Sequence, residues 1–297
     1  MMSFSKRTYA LIAATAVAVI YGVTFTVAKD VMPLYLLPFG FIVLRVSGST
    51  ILFWITWWFG PKEKMDKQDY LRIAGAGLFG VALNMLTFFK GLSMTSQISA
   101  AVLMVTTPMI VLVLSAFLLK EKLKSRKIIG ILLGLFGTIL LIAYGKKSAS
   151  GTNENLGNLL VFINAVSYGF YLIMVKKLMD KYNAFSFVPW IYTAGLIMVL
   201  PFGWQELSEV AWHTLPTDIW YKVVFVVVFS TFLTYLLNLV SMRELKPTTV
   251  SVFIYLQPLF ATIFAVALGK DQLDQTKLLA AAFIFIGVYL VTIPKKN

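Results

Sequence analysis

The sequence has no cysteine and a single histidine, His213. Disulfides, thiol catalysis and cysteine-based metal sites are excluded, and one imidazole cannot form a histidine cluster for a metal or a proton relay. Nothing in the chain asks for a metal or another cofactor. Charge is also scarce. Asp, Glu, Lys and Arg make up 13% of the 297 residues, against roughly 25% in an ordinary soluble domain. That is too little to clothe a water-facing surface. The 13 acidic residues all lie between apolar runs or at their ends. Proton-coupled carriers keep an Asp, Glu or His along the path, so this distribution points to a substrate gradient or exchange as the driving force.

Apolar and aromatic residues are abundant. AVILMFWYC account for 59% of the chain, with 24 Phe, 13 Tyr and 7 Trp, and the mean hydropathy is +0.82. Lipid is therefore the solvent for much of the protein, with Phe facing the acyl chains and Trp and Tyr at the interfaces. The net charge of +13 does not point to nucleic acid, because the basic residues are scattered among short segments between apolar runs. Membrane orientation accounts for them.

Lys6 and Arg7 precede an apolar run from Tyr9 to Ala28. A secretory leader begins similarly, but its apolar core is only about 7–15 residues long and further spans do not follow it. A helix crosses the hydrocarbon with about 20 apolar residues. By that measure the chain holds ten spans: 9–28, 36–59, 71–89, 97–119, 127–144, 156–175, 184–204, 219–241, 247–269 and 276–293. The links Gly91 to Ser96 and Met242 to Lys246 are short, which makes their neighbours antiparallel. The only linker-like stretch, Gly145 to Asn155, falls mid-chain. With the N-terminus in the cytoplasm, inside segments carry 18 Lys and Arg and outside segments 7. This bias predicts two cytoplasmic termini.

The chain also resembles itself. At an offset of 150, Pro108 meets Pro258, Leu118 meets Leu268, Lys120 meets Lys270, Glu121 meets Asp271 and Gly137 meets Gly287; residues 90–146 give 9 identities in 57 positions. Tyr21-Gly22 meets Tyr168-Gly169 at an offset of 147. The expected organisation is an all-α polytopic membrane protein of two five-helix halves, 1–145 and 156–297, joined by 146–155. An odd number of spans inverts one half relative to the other, which is the plan of many secondary transporters.

Several motifs carry a family likeness. Tyr21-Gly22-x-x-Phe25-x-x-x-Lys29, Pro38-x-x-Phe41-x-x-x-Arg45, Gly91-Leu92-x-x-Thr95-Ser96-x-x-x-Ala100, Pro108, Leu119-Lys120-Glu121-Lys122-Leu123 and Gly130-x-x-x-Gly134-x-x-Gly137 follow in order. Together they resemble the EamA family of the drug/metabolite transporter superfamily. The resemblance implies ten helices, cytoplasmic termini and a central cavity lined by helices 1–4 and 6–9, with helices 5 and 10 peripheral. Members move small solutes such as amino acids, sugars, nucleotides and drugs. The expectation is a bacterial inner-membrane transporter of an amino acid-like, aromatic or drug-like metabolite, as exporter, monomeric or dimeric. A channel or non-transporting structural membrane protein is the alternative. An intramembrane enzyme would need paired Asp, Ser–His or zinc, none of which the spans supply.

Arg45 stands about nine residues into the second span, roughly 13 Å deep. A charge there costs at least about 2.5–3.5 kcal/mol and should face a cavity or a partner. It reads either as a counter-charge for an anionic solute or as a structural arginine bonded to carbonyls. Pro108 and Pro258 free the carbonyls of Met104 and Ile254, and the preceding Thr107 and Gln257 are polar. These make a symmetry-related pair of pivots and solute contacts, or kinks bridged by side chains. Tyr21, Asn84, Asn164, Tyr168, Tyr171, Tyr192 and Tyr255 place further polar groups at depth, beside Ser167 and Trp190. As a set they suit a cavity, while each alone also suits helix–helix contact. Glu121 is a gate candidate or, more simply, a solvated acid among Lys120, Lys122 and Lys124. Gly130 and Gly134 suit close helix packing and a dimer contact.

Overall fold

The computed structural model describes residues 5–94, 103–122, 124–143, 153–267 and 275–293. The described residues contain helices and no strand. This follows from the composition, since in lipid a helix satisfies all of its own backbone polar groups.

Two long helices open the chain, α1 (Lys6–Val31) and α2 (Pro38–Phe59). Ser5 caps α1 by accepting from Thr8 N. Pro38 opens α2, where its missing N–H costs nothing, and Glu206 Oε2 accepts from Gly40 N at 2.8 Å in place of a local cap. Next come α3 (Lys67–Gly77), a π-helical turn (Leu78–Ala82) and α4 (Leu83–Met94) as one continuous rod. Helices α5 (Thr107–Leu118) and α6 (Ser125–Ala143) complete the described part of the first half.

The second half follows a similar order: α7 (Glu154–Met179), then α8 (Ala184–Ser208). Then α9 (Thr217–Phe225), a π-helical stretch (Val226–Leu233) and α10 (Thr234–Glu244) form a second rod. A short α11 (Pro247–Ser251) and a 3-10 turn (Val252–Tyr255) lead into α12 (Leu256–Ala267), and α13 (Gln275–Thr292) closes the chain.

Eight stretches among the described residues are long and apolar enough to cross a membrane, and Thr107–Leu118 is a shorter apolar helix. Three of the ten expected spans, 97–119, 127–144 and 247–269, run into residues outside the description. Several helix ends differ from expectation by a few residues. The third span's helix continues to Met94, beyond Gly91. Helix α7 starts at Glu154, inside the expected linker, because the Asn153 side chain accepts from Leu156 N.

Helix pairing is reciprocal. Helix α6 lies along α13 and α2 along α8; α4 packs on α7 as α10 packs on α1; α5 packs on α7 as α12 packs on α1. Glycine makes the closest approaches possible. A Cβ on Gly287 would stand 2.6 Å from Gly130 O and 2.6 Å from Gly134 N, so α6 and α13 meet backbone to backbone. Gly130 and Gly134 are thus consumed inside the chain, and the dimer contact expected of them is not available on that face. Gly22 abuts Phe260 and Ala261, and Gly169 abuts Ile110 and Val111. Each of these glycines therefore packs on the helix that contains the proline of the other half, Gly169 most closely on Leu114.

Candidate functional site

The site forms where α1, α2, α7, α8 and the second rod meet. Arg45, on α2, is 8% exposed. Its Nε donates to Thr231 Oγ1 at 3.0 Å. Thr231 in turn donates to the Val226 carbonyl at 2.8 Å, five residues back, the spacing of a π-helical turn. One turn along α2, Ser49 donates to the Val227 carbonyl at 3.1 Å. The π-helical stretch thus presents a hydroxyl and a carbonyl towards α2. The first rod does the same towards α7, where Ser167 donates to the Phe79 carbonyl at 2.7 Å.

Two phenols stand near Arg45, and one of them continues into a cluster of rings. Tyr21 and Tyr192 lie within electrostatic reach of the guanidinium. Tyr192 packs on Phe53 with ring centroids 4.5 Å apart, and on Tyr235 at 4.8 Å. Tyr235 continues to Tyr171 at 5.5 Å, and Tyr171 to Tyr168 at 5.8 Å. Phe232 closes the group against Phe53 at 4.8 Å. Thr234 Oγ1 stands 3.3 Å from Tyr21 Oη, tying α1 to α10. Among the described residues the buried Tyr171, Tyr235 and Ser230 hydroxyls have no hydrogen-bond partner of normal geometry, although the Tyr171 and Tyr235 hydroxyls approach each other. Beside this cluster is a cavity of about 20 Å³, lined by Tyr21, Tyr168, Asn238, Phe253, Ile254 and Gln257. It has room for about one water.

Of the expected site residues, Tyr21, Arg45, Tyr168, Tyr171 and Tyr192 gather here, with Gln257 on the cavity wall. Others go elsewhere. Asn164 Nδ2 donates to the Asn84 carbonyl at 2.7 Å and Asn84 Nδ2 returns a bond to the Asn164 carbonyl at 3.4 Å, an exchange that joins α4 to α7. Thr107 donates to the Met104 carbonyl at 2.6 Å, which satisfies the group that Pro108 frees. Pro258 comes after the 3-10 turn, so both prolines follow a break in regular helix. Tyr255 packs over Gly134 in the core around α6 and α13. Trp190 faces outward against Trp54 and Tyr70, in an interfacial aromatic group.

Glu121 differs most from the solvated acid expected. It is 7% exposed, accepts from Thr248 Oγ1 at 2.7 Å and pairs with Lys127 Nζ. Its carboxylate joins the foot of α5 to the starts of α6 and α11. Lys120, directly before it, has a φ of 52°. This turns the chain so that the acid faces inward and the neighbouring lysines do not share its site.

Polar contacts close both ends of the bundle. At one end Asp69 accepts from Lys181 Nζ at 2.8 Å, Tyr182 Oη at 2.9 Å and Arg72 Nη1 at 2.5 Å. Asp69 holds the Lys181 ammonium above its usual pKa range. Glu63 Oε2 accepts from Asn183 N at 2.6 Å beside them. At the same end Arg7 donates to the Thr292 carbonyl and Arg126 to the Ile293 carbonyl, which brings both chain ends together. At the other end Lys222 bridges Asp30 at 3.0 Å and Asp218 at 3.2 Å.

The residues not anticipated from sequence are Thr231, Thr234, Tyr235 and Asn238, together with Phe53. The signal was present in the polar set Thr231, Thr234, Tyr235 and Asn238, which recurs at helical spacing within an otherwise apolar span. Among the described residues no group of His, Asp and Glu has the arrangement of a metal site.

The model of the EamA-like transporter family matches this chain twice, over residues 8–143 and 155–293. Similar proteins include one named "Uncharacterized transporter YetK" from Bacillus subtilis (strain 168), 26% identical over 98% of this chain and 89% of that protein. "Uncharacterized transporter YyaM" of the same organism is 22% identical over 93% and 92%. An "Uncharacterized transporter" of Archaeoglobus fulgidus is 23% identical over 86% and 88%. A solved structure titled "Crystal structure of protein" superposes with a TM-score of 0.77 at 18% identity, over 96% of each chain, and so shares the fold. Matched across nearly its whole length, this all-helical membrane protein belongs to the EamA-like transporter family.

Proposed function

We propose that this protein is a secondary transporter that exports a small organic metabolite by alternating access around the tyrosine-lined centre. The solute is amino acid-like, aromatic or drug-like. Residues 1–145 and 156–297 are its two inverted five-helix halves, and both termini face the cytoplasm of a bacterial inner membrane.

The observation that carries this reading is the exchange of equivalent contacts between halves. Gly22 rests beyond Pro258 and Gly169 beyond Pro108. The two π-helical segments, Leu78–Ala82 and Val226–Leu233, occupy corresponding places in their rods. Halves built alike can exchange conformations, which opens a midplane site to each side in turn. The polar contacts at the two ends act as gates that alternate. Asp69 with Lys181 and Tyr182 closes the cytoplasmic side, and Lys222 with Asp30 closes the other. Pro108 and Pro258 act as pivots, and Glu121 fastens the cytoplasmic foot of one pivot helix to α11. The arginine and lysine contacts collected around the chain ends support the cytoplasmic assignment.

The test is uptake and counterflow in proteoliposomes against a mixed metabolite panel, with and without a pH gradient. Counterflow of a solute, indifferent to the pH gradient, supports the reading, and accumulation in inverted but not right-side-out vesicles supports export. Folded protein that moves no solute in either assay overturns it.

A further inference from the structure

We propose that the transported solute is recognised through a carboxylate, which Arg45 binds with its two terminal amino groups while the surrounding tyrosines hold a planar or aromatic body. This inference rests on the transport reading and names its substrate class.

A guanidinium has five N–H donors and no acceptor. Arg45 uses one of them, Nε to Thr231. Thr231 cannot offer its proton back, because that proton is committed to the Val226 carbonyl. The hydroxyl is therefore fixed as an acceptor, and it orients the guanidinium by its Nε edge. The other donor edge makes no hydrogen bond to a described residue.

A structural arginine at this depth would bond helix carbonyls, and none accepts from Arg45 among the described residues. A snorkelling arginine would reach an exposed end, yet Arg45 is 8% exposed. No described carboxylate lies within ion-pair distance of it. The described ionisable groups in electrostatic reach are the phenols of Tyr21 and Tyr192. A buried charge left in this condition is costly unless something pairs with it. A carboxylate supplies two oxygens in the geometry that a guanidinium edge matches.

The surroundings select further. The Tyr235 hydroxyl, whose ring packs on Tyr192, is buried without a hydrogen bond of normal geometry to a described residue and can donate to a bound oxyanion or accept from a solute hydroxyl. Phe53, Tyr192 and Phe232 supply ring faces for an apolar body. With one cation and no acid in reach among the described residues, the site fits a single negative charge. An amine without a carboxylate meets only the like charge of Arg45, and a phosphate dianion finds one positive charge for its two negative ones.

The experiment is thermal stabilisation of the purified full-length protein by four phenols matched in ring and differing in charge. These are 4-hydroxyphenylacetate, the neutral alcohol tyrosol, the amine tyramine and 4-hydroxyphenyl phosphate. The carboxylate should bind at least about tenfold more tightly than the other three, the share of a charged hydrogen bond. Arg45→Gln should abolish that preference. Arg45→Lys should restore part of it, because lysine keeps the charge and loses the two-pronged geometry. Thr231→Val, which leaves the charge in place, should weaken the carboxylate and leave tyrosol unchanged, and it serves as the readout if Arg45→Gln does not fold.

Equal binding of carboxylate and alcohol, preference for the amine or phosphate, absence of binding by all four, or full carboxylate affinity in both Arg45→Gln and Thr231→Val would overturn the proposal. Counterflow of the same compounds separates the two readings. Arginine-dependent carboxylate binding without counterflow of any solute removes the transport reading and leaves the site. Counterflow of neutral solutes, undisturbed by Arg45→Gln, removes the carboxylate and leaves transport.

Discussion

Arg45 Nε and Thr231 Oγ1 meet at 3.0 Å between α2 and the second π-helical segment, and the hydroxyl is available as an acceptor because its proton goes five residues back to Val226. An ordinary α-helical turn would direct that proton to the carbonyl four residues back. The π-helical turn therefore sets both the place and the polarity of the group that holds the buried charge.

Thr231→Val should lower stability by about 1–3 kcal/mol, the cost of leaving a buried donor without its partner. Thr231→Ser keeps the hydroxyl and should stay within about 1 kcal/mol of the parent, the scale of a single methylene. Thermal unfolding of both variants in one detergent checks the pair. Equal stability of the valine and serine variants would mean that Nε does not need Thr231.

The close approach of α6 and α13 makes a separate prediction about the periphery. Gly287→Val places branched carbon 2.6 Å from Gly130 O and Gly134 N. Backbone cannot yield there as a side-chain end can, so overpacking should cost about 1–3 kcal/mol or more. Since Gly287 packs on α6 rather than on Arg45 or the rings around Tyr192, the protein that remains folded should bind solute with parental affinity. Binding per folded molecule, measured beside the melting temperature, separates the two effects.

Much of the fold was legible in the sequence. Long apolar runs depend only on composition and spacing, and they located the helices. Arg45 and Tyr192 were legible for the same reason, since a polar group in an apolar span is conspicuous. What stayed hidden depends on contact. Asn84 and Asn164 are equally conspicuous, yet each donates its amide to the other's backbone carbonyl. The π-helical turns have no composition of their own, so the role of Thr231 could not be read. Glu121 among lysines looks solvated until the positive φ of Lys120 turns it inward.

Glu121→Gln tests that inward turn. The substitution removes the charge opposite Lys127 and leaves an amide oxygen for Thr248. Breaking a buried pair by removing one partner costs up to about 3–5 kcal/mol, whereas replacing both partners with apolar groups can be close to neutral. Glu121→Gln should therefore be less stable than the double variant Glu121→Leu with Lys127→Met. The thermodynamic cycle over the single and double variants gives the coupling. A cycle that closes with no coupling would return Glu121 to the role of a solvated acid.

The Asp69–Lys181 contact, which we propose as the cytoplasmic gate, carries a prediction about pH. Asp69 raises the Lys181 pKa above its ordinary value. A raised folded-state pKa means that the contact contributes fully below the unfolded lysine value, about 10.4, and is lost as pH climbs through the folded one. The contact is thus intact at neutral pH and gives the gate no pH sensitivity there. The chain has no native cysteine, so a single cysteine placed at Ser186, beside this gate, reports its opening by maleimide labelling without background. Labelling rates, corrected for thiol ionisation, should be flat from about pH 6 to 9 in the parent. Asp69→Asn should raise them at every pH, because Lys181, Tyr182 and Arg72 all lose the carboxylate they share. A labelling rate in the parent that climbs within that window would place the controlling titration on a group other than Lys181. Unchanged labelling in Asp69→Asn would show that the carboxylate does not hold the gate closed.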